Sequence, residues 1–415
     1  MTRLARGLRD IGTGRGDVVA IYMPNLPETF VAFFAILKLG AIVMPLFSGF
    51  GPAPIQSRLN HGAAKAVITA HGTWRRGAPG ALKSVLDIAL EGAPSVKHVI
   101  VARRAGLEID TPMRDGRDRW WDDAVGADTE MATERMQAED PAILLYTSGT
   151  TGEPKGCVWT HIGFIGSMVT RDMIICGDFK ASDRFFFSDM GWMVGAMCAC
   201  IPSIVGGSLL IAEGTPDFPD TGRFWRLIAD HKVTYLGVSP TIVRSLMRYG
   251  EEVENYDLSS LRMTASGGEA WTTAPWMWFF EHVCKKKIPI INISGGTEVG
   301  GCIFTGTPNH PMNPGSFSRP ALGGGAGIVD HAGARVPDGT VGELVLRHSS
   351  IGLTKSLWKA DARYLESYWN TIRGSGCMAT SRCAGPMGST TSSAAPTSPS
   401  RFQASARARP SLKAS

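Results

Sequence analysis

The run Leu144-Leu145-Tyr146-Thr147-Ser148-Gly149-Thr150-Thr151-Gly152-Glu153-Pro154-Lys155-Gly156 joins an apolar, strand-like start to a stretch of hydroxyls and glycines that ends in a lysine. Glycine lets a backbone approach an anion closely and reach φ > 0, so successive N–H groups converge on one oxygen. The side chains of Thr147, Ser148, Thr150 and Thr151 add short donors, and Lys155 adds a mobile positive charge. Such a donor set binds phosphate. The glycine, lysine and hydroxyl that close a Walker loop do not follow in that order after Gly149, so this is a nucleotide loop of another kind.

Two further apolar runs end the same way. Leu261-Arg262-Met263-Thr264-Ala265-Ser266 leads into Gly267-Gly268-Glu269-Ala270, and the stretch from Ile288 to Ile293, which contains Asn292, leads into Ser294-Gly295-Gly296-Thr297-Glu298-Val299-Gly300-Gly301. Three strands that each end in a glycine-rich turn put several loops at strand carboxyl ends, where open α/β sheets bind their ligands.

The first run, Tyr146 to Gly156, resembles the signature of the adenylate-forming superfamily, which includes acyl-CoA synthetases, luciferases and peptide-synthetase adenylation domains. Phe185-Phe186-Phe187-Ser188-Asp189-Met190-Gly191-Trp192-Met193-Val194-Gly195 resembles acetyl-CoA synthetases and their short-chain relatives in particular. So does the stretch from Glu213 through Pro216, Asp217, Pro219 and Asp220 to Trp225. The resemblance implies an α/β fold: a large domain of mostly parallel sheets covered by helices, plus a β-rich subdomain. It also implies a two-step ligase in which a carboxylate attacks ATP to give an acyl-adenylate and pyrophosphate, and the thiol of CoA then displaces AMP.

In that reading Thr147, Ser148, Gly149, Thr150, Thr151, Gly152 and Lys155 hold the β- and γ-phosphates. Thr297 meets the α-phosphate, and Glu298 holds Mg²⁺, a hard ion suited to a carboxylate and phosphate oxygens. Gly268, Glu269 and Ala270 flank adenine, and Asn292, Ser294, Gly295 and Gly296 complete the nucleotide site. Trp192, Met193, Val194, Gly268 and Gly295 line the acid. Acetyl-CoA synthetases carry Trp-Trp-Gln where this chain has Ser294-Gly295-Gly296, so a missing indole at 295 implies room for a short- to medium-chain or substituted acid, with acetate poor.

The elements that must position these residues are legible in outline. Apolar runs Val18 to Tyr22, Ala41 to Pro45 and Ala66 to Thr69 alternate with helical patterns, one of which closes on Lys38-Leu39-Gly40, a cationic last turn followed by a glycine stop. That alternation reads as a parallel sheet covered on both faces. Val233 to Thr241 reads as a buried strand entering a helix at a Ser or Thr cap. Residues 191–211 carry no charge, but glycines and Pro202 break them into a buried helix followed by a strand rather than a membrane span.

Composition sets outer bounds. With 415 residues, 44% hydrophobic and 19% charged, the chain has the make-up of a globular protein of two or three packed units. A net charge of +5 with basic residues scattered, apart from Lys285-Lys286-Lys287, gives no support for nucleic-acid binding. The eight cysteines form no CxxC pair and read as free thiols in a reducing, cytoplasmic setting.

We expect a large domain over residues 1–320, the β-rich subdomain over 321–372 and a disordered tail over 373–415, where the composition turns to Gly, Ser, Ala, Thr, Pro and Arg. Relative to the family, the chain is expected to start late and to lack the C-terminal domain. A shifted reading frame near Arg373 would account for the change of composition. Loss of that domain would impair thioester formation, leaving a nucleotide-binding remnant as one alternative and a ligase serving a carrier protein as another.

Overall fold

The computed structural model describes residues 1–126, 130–147, 154–186, 190–370 and 372, together with the backbone of two strands, Gly376–Ala384 and Thr390–Ser392. The first sheet runs Asp118–Trp120, His98–Ala102, Ala66–Ala70, Val18–Tyr22, Ile42–Leu46, Pro141–Thr147 and Lys155–Thr160 in spatial order. Every neighbouring pair is parallel except the last, which is an antiparallel hairpin. Its central strands are buried along their whole length. Their period of two sends Val19 and Ile21 into one core, with Phe33 and Ile36, and Ala20 and Tyr22 into the other, with Leu59 and Leu86. Sheets buried on both faces carry such unbroken apolar strands.

A second, wholly parallel sheet has the order Ser208–Leu210, Arg184–Phe186, Tyr235–Val238, Met263–Ser266, Ile290–Asn292. The helix after Tyr235–Val238 is capped as its sequence requires, Ser239 accepting from the backbone N–H of Ile242 at 3.2 Å. The uncharged stretch forms the helix Met193–Val205 and the strand Ser208–Leu210, as expected. Among the described residues no helix is long and apolar enough to cross a membrane.

Beyond Asn292 the chain turns antiparallel. Ser294–Gly296, Gly301–Thr305 and Arg319–Pro320 make a small sheet, and Ser316–Phe317, Thr390–Ser392, Gly376–Ala384, Val341–Leu346 and Ala326–Val329 make a larger one. Two of these strands, Gly376–Ala384 and Thr390–Ser392, lie in the stretch expected as a tail. Gly376–Ala384 pairs along the side of Val341–Leu346 away from Ala326–Val329, and a strand edge offers backbone ladder partners whatever the side chains of the segment that takes it.

The described cysteines Cys157, Cys176, Cys198, Cys200, Cys284 and Cys302 are all free and buried. Burial disfavours the thiolate and pushes Cys200 and Cys284 up to about 12. A raised thiol pKa means that reactivity appears only as pH climbs toward it. Iodoacetamide at pH 8 is therefore expected to leave these six thiols of the native protein unmodified and to label them after denaturation, as read by peptide mass spectrometry; fast native labelling of any of them would contradict this packing.

Candidate active site

The phosphate-type loop is the tip of the hairpin between Pro141–Thr147 and Lys155–Thr160, with Thr147 and Lys155 directly opposite each other. Ser148, Gly149, Thr150, Thr151 and Gly152 lie outside the described residues. Thr297 and Glu298 sit in a second hairpin turn, between Ser294–Gly296 and Gly301–Thr305. The sequence pattern suggested a turn at the end of a parallel strand. Here the strand Ile290–Asn292 ends first, and the next residues start an antiparallel pair.

These two turns meet. The Tyr368 hydroxyl donates to Glu298 Oε1 at 3.0 Å and lies 3.5 Å from Lys155 Nζ, and the lysine stands 5.3 Å from the centre of the tyrosine ring. Thr297 is held beside them: its carbonyl accepts from Trp159 Nε1 at 2.7 Å, and its hydroxyl lies 3.9 Å from Met193 Sδ. Burial, and Glu298 after it, push the Tyr368 phenol well above the ordinary tyrosine range. Burial first and Glu298 second likewise raise the Cys157 thiol.

A third stretch of chain locks the two turns in register. Thr354 is buried, donates its backbone N–H to the Glu298 carbonyl at 2.8 Å, and accepts from the backbone N–H of Val158 at 2.8 Å through its hydroxyl. Trp358 N–H reaches the Gly156 carbonyl at 2.7 Å. Neither Thr354 nor Trp159 carries a motif, and both were missed in the sequence. Trp159 follows the loop in the strand Lys155–Thr160, where it reads as plain core; only its buried N–H, which needs an acceptor, hints at more.

Trp159→Phe keeps the ring packed on Phe164 and removes that donor. The expected cost is about 1–3 kcal/mol of stability for an unpaired, partly buried carbonyl, measured by urea unfolding. An unchanged midpoint would show that the bond to Thr297 carries no weight.

Two polar atoms among the described residues are buried without a partner at positions assigned to the nucleotide. One is Thr147 Oγ1; the other is Asn292 Oδ1, whose Nδ2 donates to Ser316 O at 2.9 Å. An unsatisfied buried acceptor is costly and suits a ligand donor such as an adenine amino group. Gly268 has a φ of 87°, and open space surrounds the position of a Cβ there. The Glu269 carboxylate faces elsewhere, paired with Arg244 at 2.7 Å, so any contact with adenine from this turn falls to backbone and to Gly268 and Ala270.

At the acid end, Trp192 is half exposed, with its ring 5.1 Å from that of Phe47, and precedes the helix that carries Met193 and Val194. Gly295 needs correction. A Cβ at this position meets the carbonyl oxygen of Gly301 at 2.1 Å, so it points into the paired strand rather than into open space. The pairing shifts register between Ser294 and Gly295, and glycine is what permits the close approach. Its absence of a side chain is thus a demand of the hairpin before it is a matter of pocket width.

A cavity of about 540 Å³ opens between the two parallel sheets, lined in part by Phe47, Arg75, Arg76, Phe186, Arg223 and Ser239. Arg76 pairs with Asp217 at 2.8 Å, and Arg223 donates to the Glu213 and Thr215 carbonyls at 2.6 Å. Glu213 to Pro216, with Arg223 and Phe224, all in the stretch singled out in the sequence, thus form part of a wall of this cavity.

A family profile described as AMP-binding enzyme matches residues 1–358. The acetyl-coenzyme A synthetase of Rhodopirellula baltica is 38% identical over 378 residues, covering 90% of this chain and 56% of that protein. That of Methanothrix soehngenii is 38% identical over 374 residues, covering 89% and 55%. Among solved structures, an acetoacetyl-CoA synthetase from Streptomyces lividans superposes with a TM-score of 0.86 at 25% identity, over 94% of this chain and 60% of that one. The chain spans a little over half the length of these relatives.

Proposed function

We propose, from the premise that this chain belongs to the AMP-binding enzyme family, that it contributes the nucleotide and acid sites of an AMP-forming acid–thiol ligase. The observation that supports the proposal is the Tyr368 hydroxyl, which reaches both Lys155 and Glu298 from two separate hairpin turns, with Thr297 next to Glu298 in the second. A lysine and a carboxylate that share one hydroxyl rather than a direct ion pair suit a metal-bound triphosphate.

Carboxylates are poor acyl donors, and their activation on phosphate needs charge neutralisation and positioning more than a protein nucleophile. Lys155 and the loop hydroxyls would hold the outer phosphates, and Thr297 the α-phosphate. Glu298 would hold Mg²⁺, which supplies neutralisation of phosphate charge when bound. The acid oxygen then attacks the α-phosphorus, the bond to the bridging oxygen breaks, and pyrophosphate leaves. In the second half the CoA thiol attacks the acyl carbon and AMP leaves. The arginine-bearing cavity suits a polyanionic thiol such as CoA, and its Phe47 touches Trp192 beside the acid site.

For the acid we propose a short- to medium-chain or substituted carboxylate, with acetate a poor substrate. The superposing acetoacetyl-CoA synthetase, 25% identical, favours an acid larger than acetate, and the 38%-identical acetyl-coenzyme A synthetases favour acetate, so the choice of acid rests on the following test. ATP–pyrophosphate exchange with acetate, propionate, butyrate and acetoacetate tests both levels. Exchange that is acid-dependent and faster with the larger acids is the expected result. No exchange with any carboxylate would overturn the ligase reading, and a preference for acetate would overturn the substrate reading alone.

A further inference from the structure

Tyr368 belongs to neither glycine-rich turn. It is the last residue of the helix Asp361–Tyr368, which reaches the site from a third direction. The segment before that helix is tied to the phosphate-loop strand through Trp358 N–H to the Gly156 carbonyl and an isolated bridge between Cys157 and Leu357. Tyr368 also packs on Tyr364, with ring centres 5.7 Å apart. The hydroxyl is therefore delivered from a fixed helix end into the gap between a cation and an anion, and it satisfies both, donating to Glu298 Oε1 at 3.0 Å and presenting its lone pairs to Lys155 Nζ at 3.5 Å.

We propose that Tyr368 is a positioning residue that fills the gap between Lys155 and Glu298 and must leave it before the two groups can take a metal-bound phosphate, so that it sets the magnesium requirement for ATP binding. The proposal rests on the reading of Lys155 and Glu298 as the phosphate and metal ligands. Its logic is competition for one place. The carboxylate keeps further lone pairs beyond the one the phenol uses, but the phenol oxygen fills the gap between Glu298 Oε1 and Lys155 Nζ, the side from which a cation and its phosphate would reach both groups. The lysine faces the matching choice, between the phenol oxygen and a phosphate oxygen. A tyrosine between the two groups keeps them apart from each other, since a direct ion pair would tie up both; the cost is that magnesium must displace the phenol.

The experiment measures ATP binding by titration calorimetry across a series of Mg²⁺ concentrations for the wild-type chain, Tyr368→Phe, Glu298→Gln and the double variant. Phenylalanine keeps the ring against Tyr364 and Lys155 and removes only the hydroxyl. Half-saturating Mg²⁺ is expected to fall about tenfold in Tyr368→Phe, the scale of one hydrogen bond to a charged group. In the Glu298→Gln background the Tyr-to-Phe change should have little effect on the magnesium dependence. A Mg²⁺ requirement unchanged or raised by Tyr368→Phe, with the wild type binding normally, would overturn the tyrosine's role and leave the ligase reading standing. Failure of the wild type to bind Mg²⁺ and ATP together would overturn that reading, and this inference with it. A second measurement needs no variant to fold for binding: the fluorine resonance of 3-fluorotyrosine at position 368 should move on adding ATP with Mg²⁺ and much less on adding ATP with a chelator. A resonance that moves equally in both would count against the displacement.

Discussion

Glu298→Gln, and separately Lys155→Met, are each expected to lower acid-dependent ATP–pyrophosphate exchange by about 10²–10³-fold, the usual effect of removing one charge-stabilising group from a preorganised site. Both changes spare the fold. Glutamine keeps an oxygen for the Tyr368 hydroxyl, which now donates to Glu298 at 3.0 Å, and methionine keeps the apolar stem of the lysine beside the tyrosine ring. What is lost is one unit of charge in each case, at the two points where metal and triphosphate would be gripped. The two losses should differ in kind. Glu298→Gln should be partly relieved by raised Mg²⁺, whereas Lys155→Met should not. Exchange rates within a fewfold of wild type for both variants, with unchanged circular dichroism, would remove these residues from the chemistry.

Gly295→Ala is the second large effect, and its cause is steric. The new methyl meets the Gly301 carbonyl oxygen at 2.1 Å and its carbon at 3.0 Å, contacts with backbone that no side-chain rotation relieves. Gly301 is itself closely surrounded, since a Cβ there would meet Ser167, Asp172 and Arg171 side-chain atoms within 2.7 Å. Overpacking of this kind costs about 1–3 kcal/mol and more when backbone must shift. The hairpin that must shift is the one that carries Thr297 and Glu298, so pyrophosphate exchange should fall together with the melting temperature. A bulkier Gly295→Trp should behave worse on both measures, which makes it a poor probe of acid size. An alanine variant as stable and active as wild type would contradict the strand register described here.

How far the sequence reached follows from what each residue depends on. The strand that leads into the phosphate loop was legible because local rules make it, an apolar run ending at Thr147, whereas the antiparallel return that sets Lys155 opposite Thr147 was not. The parallel sheets were legible because strands buried on both faces leave runs such as Val18–Tyr22 with no polar alternation. Thr297 and Glu298 were legible from their motif, although not the antiparallel turn that presents them. Trp159, Thr354 and Tyr368 were not legible. Their roles are single hydrogen bonds to residues distant in the chain, with Thr354 and Tyr368 separated from Glu298 by an entire hairpin and its connections. Gly295 was misread for the opposite reason. A local comparison of side-chain volumes took its missing side chain as pocket space, while the strand opposite, invisible in one dimension, already filled that space.

The measurement closest to the central claim is a double-mutant cycle between Lys155 and Glu298, using Lys155→Met and Glu298→Gln, with the affinity for ATP at fixed Mg²⁺ as the readout. Groups that share one ligand and one hydroxyl bridge are coupled, and a coupling energy of about 0.5–3 kcal/mol is predicted. Independent losses that add to within about 0.3–0.5 kcal/mol would mean that the two turns do not serve the same triphosphate, and would contradict the account.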